Sequence, residues 1–132
     1  MSDPEAPKLA GRVYLGGVLR RGGAVKAADG LEPPEVPDVS HHRLEGGPQM
    51  LQLSLDGRRL YVTNSLLSTW DAQLYPAMAA KGTYLLKVDV GADGALALDA
   101  GFYCNFGAEP GGPVLAHESR YPGGDCTSDI WL

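Results

Sequence analysis

The strongest period along the chain is two. Leu51, Leu53 and Leu55 alternate with Gln52 and Ser54, the pattern of a strand with one covered face and one wet face. Asp56-Gly57 follows, and Leu60-Tyr61-Val62-Thr63-Asn64-Ser65 resumes an apolar-rich run. Asp-Gly supplies the positive φ angles of a tight turn, so the segment reads as a β-hairpin. Thr83 to Val90 reads as the next strand, Ala92-Asp93-Gly94 as a turn, Ala95 to Leu98 as a return strand and Phe102 to Phe106 as a further one. Residues 46–106 thus form one antiparallel unit of about four strands, the size of a propeller blade. Inside it, the stretch from Ser68 to Lys81 neither alternates nor carries turn residues. Its Ala and Met content predicts a short helix starting at Pro76 and stopped by Gly82.

Upstream, Gly11 to Leu19 reads as a strand with a glycine break, Gly22-Gly23 as a turn and Ala24 to Ala27 as a short second strand. Asp29 to Ser40 is acidic and Pro-rich, a surface loop in extended form. Downstream of Phe106 the periodicity stops, yet His117, Glu118, Arg120, Asp125, Cys126 and Asp129 all lie there, as befits a functional loop. The chain divides into a partial blade with its Pro-rich loop (1–45), an antiparallel blade with a helical insertion (46–106) and a carboxy-terminal motif loop (107–132). The 18 glycines and 10 prolines suit many short strands and turns, so the fold class is all-β.

With 132 residues the chain makes one domain or less. The net charge of -5 and the scattered Lys and Arg exclude nucleic acid as the main partner. Ser2-Asp3-Pro4 opens no signal peptide and no run of apolar residues is long enough to span a bilayer, so the chain as written is expected in the cytoplasm. Cys104 and Cys126 show no CxxC spacing and no disulfide framework, compatible with a reducing compartment.

The run from Leu115 to Trp131, with His117-Glu118-Ser119-Arg120-Tyr121-Pro122-Gly123-Gly124-Asp125-Cys126 at its centre, resembles the ending of the selenium-binding proteins, a family that includes methanethiol oxidases. Gly46-Gly47-Pro48-Gln49-Met50, the hairpin from Leu53 to Val62, Trp70-Asp71 and Tyr75-Pro76 are similar to the same family in the same order, and Leu15-Gly16-Gly17 fits its upstream segment. The resemblance implies a seven-bladed β-propeller, incomplete in this chain, which would supply its carboxy-terminal blades. It also implies a copper-dependent oxidation of methanethiol to formaldehyde, hydrogen sulfide and hydrogen peroxide, and selenium binding. Family members are several times longer and carry histidine-rich and cysteine motifs absent here, so the chain is expected to be a truncated or split reading frame, inactive alone and dependent on the missing amino-terminal portion. A parent protein with a signal in that portion would be periplasmic. The alternatives are a non-catalytic selenium-binding or protein-trafficking propeller, and an inactive fragment.

Against that background His117 is the candidate metal ligand, because imidazole suits copper, and Glu118 is the candidate catalytic group, a carboxylate able to orient the ring or accept a proton. The competing reading is a surface or structural histidine. A mononuclear site needs about three or four ligands, and the others would come from the missing part. Cys126, after Gly123-Gly124, is the weaker catalytic candidate as a soft thiolate, although Asp125 and Asp129 would raise its pKa. Cys104 shares a face with Phe102 and Phe106 and reads as a small buried hydrophobe. His41-His42 reads as a solvated pair in a loop, Arg120 as the partner of Glu118 or Asp125, and Trp70 and Tyr75 as aromatics packed between blades. Cutting blades from a ring leaves apolar faces bare, and Leu51, Leu53, Leu85 and Val88 are expected to be exposed.

Overall fold

The computed structural model describes residues 5–122. Two antiparallel sheets order this part of the chain. The first is a two-stranded pair, β1 (Asp38–Val39) and β2 (His42–Arg43), and the second a four-stranded meander of β3 (Leu51–Leu53), β4 (Arg59–Thr63), β5 (Tyr84–Val90) and β6 (Leu96–Asn105) in that spatial order. Gly57 takes the positive φ of 68° required at the β3–β4 turn, and Leu51 pairs with Val62 and Leu53 with Leu60. The expected breaks between Leu98 and Phe102 do not occur. β6 runs through them as one strand, absorbing the irregularity as a register shift opposite Leu86 and Val88, and Phe106 falls in a single 3₁₀ turn, Phe106–Ala108.

Between β4 and β5 the chain makes two short helices, α1 (Ser68–Leu74) and α2 (Pro76–Lys81). The second has proline at its start and ends at Gly82 with φ 89°, as its composition predicts. The first was not legible because Ser, Thr, Trp and Asp are indifferent helix formers.

The core lies on one face of the meander, where Val62, Leu86 and Val88 are 2% exposed or less. Its cover comes from an unexpected quarter. Gly11 to Leu19 and Ala24 to Ala27 form no strands, since no strand among the described residues pairs with them, yet Leu15 is buried in the core and Val13 and Tyr14 pack against it. The Pro-rich segment read as a surface loop supplies Val36 and Val39 at 4% and 0% exposure, because its end turns back as the β1–β2 pair. Gly16 explains how an irregular strap lies so close: with φ 112°, a Cβ there would stand 2.7 Å from the Gly46 carbonyl oxygen.

Leu51 and Leu53 are exposed as expected: by register they share the core face with Val62 and Leu60, at the edge strand where cover runs out. Gln52, on the opposite face with Tyr61, is buried; alternation says which residues share a face and is silent on how far each is covered. Two burial expectations need correction. Val88, expected bare, is fully buried, and Leu85 is half-buried. Cys104 is exposed rather than buried, because the register of β6 puts it opposite Leu85 on the less covered face. No helix among the described residues is long and apolar enough to cross a membrane.

Candidate functional site

The carboxy-terminal run is fixed to the sheet by polar side chains. Gly107 permits its departure from β6, since a Cβ there would collide with the Lys81 carbonyl oxygen. Val114 N–H then donates to the Phe106 carbonyl at 3.1 Å and Thr83 N–H to the Val114 carbonyl at 3.0 Å. The Thr83 hydroxyl accepts from Ala116 N–H at 2.5 Å and donates to the Val114 carbonyl at 3.2 Å. Thr63 completes the attachment, its hydroxyl donating to the His117 carbonyl at 2.5 Å. Both threonines are 2% exposed or less, so these bonds are shielded from competing water.

The side chain of His117 is fixed as well. Its Nδ1 lies 2.9 Å from the Ser65 carbonyl oxygen. A carbonyl oxygen only accepts, so Nδ1 carries the proton, and in the neutral ring the lone pair belongs to Nε2. This is how proteins hold a metal-ligating imidazole: one nitrogen donates to a fixed acceptor and the other is left for the ion. Ser65 is itself anchored, its hydroxyl donating to Asp71 Oδ2 at 2.7 Å, while Leu66 N–H reaches Asp71 Oδ1 at 3.4 Å.

Glu118 does not orient this ring, which the Ser65 carbonyl does; its carboxylate pairs with Arg120 at 2.8 Å in a partly exposed ion pair. Glu118 is thus one of the two partners anticipated for Arg120. Asp125, Cys126 and Asp129 lie outside the described residues. The segment from Ser119 to Pro122 walls a cleft of about 410 Å³ against Leu53, Leu55 and Tyr61. His41 and His42 are both exposed, as a solvated pair would be; Ser40 and His41 hold positive φ angles of 47° and 66°, and His42 also stacks on Tyr103 with ring centroids 4.5 Å apart. Trp70 is exposed and Asp71 beside it buried. Among the described residues no group of three or more His, Cys, Asp or Glu side chains gathers to hold a metal ion. His117 fits a metal centre as a single ligand.

Sequence reasoning missed Thr63, Ser65, Asp71 and Thr83, all polar and all buried. The available signal was a small one: an acidic residue in the first turn of α1, placed to reach back to the N–H groups before the helix.

The family model of the 56-kDa selenium-binding proteins matches residues 1–132, and the chain belongs to that family. It is 53% identical over 137 residues to selenium-binding protein 3 of Arabidopsis thaliana, 54% over 136 residues to methanethiol oxidase of Xenopus tropicalis and 51% over 136 residues to methanethiol oxidase of Homo sapiens, in each case over 100% of this chain. It spans only 28–29% of those relatives' length. Among solved structures, a hypothetical selenium-binding protein of Sulfolobus tokodaii is similar with a TM-score of 0.64 and 36% identity, over 100% of this chain and 24% of that one.

Proposed function

We propose that this chain acts as the carboxy-terminal share of a copper-dependent methanethiol oxidase, in which the β3–β6 meander is one blade of a propeller and His117 gives one ligand to copper. One observation carries the reading: His117 Nδ1 is committed to the Ser65 carbonyl, so that Nε2 is left to coordinate. The relatives' names give the substrate, a small thiol. Methanethiol, dioxygen and water yield formaldehyde, hydrogen sulfide and hydrogen peroxide; the sulfur leaves as sulfide, carbon is oxidised and dioxygen takes up the two electrons. Copper supplies the redox chemistry when bound. This chain's own part is to hold the imidazole and to present the Glu118–Arg120 pair beside it in sequence, with Glu118 the group to accept a proton once Arg120 is drawn away. The other ligands come from the amino-terminal portion.

The exposed leucines support the blade reading. Leu51 and Leu53 on edge strand β3, and Leu55 just after it, are exposed, and full cover is worth up to roughly 1.5–3 kcal/mol for each such side chain, as expected of a surface made to meet the preceding part of the ring.

A chimera tests the function. Replacing the matching carboxy-terminal segment of the human methanethiol oxidase with this chain is expected to preserve peroxide and sulfide production from methanethiol, and His117→Gln in the chimera to abolish it. Full activity with His117→Gln would sink the copper-ligand reading. Retained selenium binding in a chimera without oxidase activity would favour the non-catalytic selenium-binding alternative.

A further inference from the structure

Asp71 is a nearly fully buried acidic residue, 2% exposed, and none of the ion pairs found among the described residues includes it. Keeping a carboxyl out of water on neutral donors alone is costly, so its position calls for a reason beyond solubility. Capping of α1 is an insufficient one. Leu67 is the N-cap and makes no side-chain cap bond, and the bond from Asp71 to the backbone near the helix start, at Leu66 N–H, is long at 3.4 Å. The short bond, 2.7 Å, runs to the Ser65 hydroxyl. Ser65 is 3% exposed and its carbonyl is the acceptor for His117 Nδ1. A line of contacts therefore leads from a buried carboxyl, through one serine, to the ring of His117.

We propose that Asp71, acting through Ser65, is the positioning residue that fixes the orientation and tautomer of His117. The proposal rests on the reading of His117 as a metal ligand only for its consequence; the geometry stands on its own. A serine free to turn its peptide would carry its carbonyl away from His117, and the ring would lose the acceptor that keeps the proton on Nδ1. Asp71 removes that freedom by holding both the hydroxyl of Ser65 and the following N–H. Outer partners of this kind typically alter metal affinity by roughly 10- to 100-fold.

The test is nitrogen NMR of the histidine rings in the 132-residue chain labelled with ¹⁵N-histidine, with His117 assigned through His117→Gln. With spectra recorded at a pH alkaline enough to deprotonate imidazolium rings, the expected result is a His117 protonated on Nδ1 rather than Nε2 in the parent chain and in Asp71→Asn, which keeps an acceptor for the Ser65 hydroxyl. In Asp71→Ala and in Ser65→Ala the proton is expected to shift toward Nε2, and copper(II) added to each is expected to broaden His117 at about tenfold higher concentration. If Asp71→Ala fails to fold, Ser65→Ala carries the test, since it removes one hydroxyl and leaves the carbonyl in place. An unchanged tautomer in a folded Ser65→Ala overturns the proposal. Copper that leaves His117 untouched in every variant, while the tautomer still responds to Asp71 and Ser65, upholds the positioning role and overturns the ligand reading instead.

Discussion

Strands β4 and β5 bury Val62, Leu86 and Val88 almost completely, whereas in the run from Val114 to His117 that crosses their end no side chain is fully buried. The sheet is held by apolar area removed from water, a force that is large, additive and indifferent to small displacements. The run is held by two threonine hydroxyls and a few backbone bonds, which are weaker in sum but demand particular distances and angles. On the proposed reading of His117 as a ligand, the contrast has a use: a ligand must be placed to a fraction of an ångström, and directional bonds to a rigid sheet do that better than a greasy contact.

The largest effect should come from the sheet. Leu86→Ala removes a side chain that is 1% exposed and is expected to destabilise the chain by about 2–5 kcal/mol, lowering the melting temperature and releasing the carboxy-terminal run with it. Thr83→Val should act on the run alone. It strips the bonding partner from Ala116 N–H and the donor to the Val114 carbonyl, at about 1–3 kcal/mol. Hydrogen exchange should then accelerate at residues 114–117 and stay slow in β4 and β5. Equal acceleration in both regions would erase the distinction drawn between them.

A smaller and pH-dependent effect should appear where the sheet meets the loop before it. Burial, and after it the neighbouring Tyr103, push the Tyr84 hydroxyl far above the ordinary tyrosine value, and it donates to the Glu45 carbonyl at 2.5 Å. A raised folded pKa means that this contribution is complete below about pH 10 and is lost as pH climbs above it, by up to about 1.4 kcal/mol per pH unit. Denaturant titrations from pH 8 to 11 should show the decline, and Tyr84→Phe should flatten it. The smallest effect belongs to Asp99, whose carboxyl is held below the usual range by the Lys87 ammonium 2.7 Å away. Its stabilisation is present above about pH 4 and fades as pH falls further, and Asp99→Asn should remove only that acid-side slope.

Much of the sheet was legible because its order is local. The Asp56-Gly57 turn, the alternation on either side of it and the Pro76 and Gly82 limits of α2 are each written within a few residues. The long-range choices were not. Nothing between Leu51 and Leu55 says that the leucines share the core face with Val62 yet stay exposed while Gln52 is buried, since the cover of that face comes from Leu15, Val36 and Val39, 12 to 40 residues earlier in the chain. At the site, the family motif drew attention to His117, but its supports are Thr63, Ser65, Asp71 and Thr83. Such residues carry no periodic signal, and their importance appears only once the run folds back over them.

On the proposed function, this chain holds one copper ligand ready and leaves the rest of the site to the remainder of the protein. Calorimetric titration of the purified 132-residue chain with copper(II) tests it most directly. Binding is expected to be no tighter than about micromolar, roughly -8 kcal/mol, with most of the heat lost in His117→Gln. A nanomolar site, or a titration unchanged by His117→Gln, would contradict it.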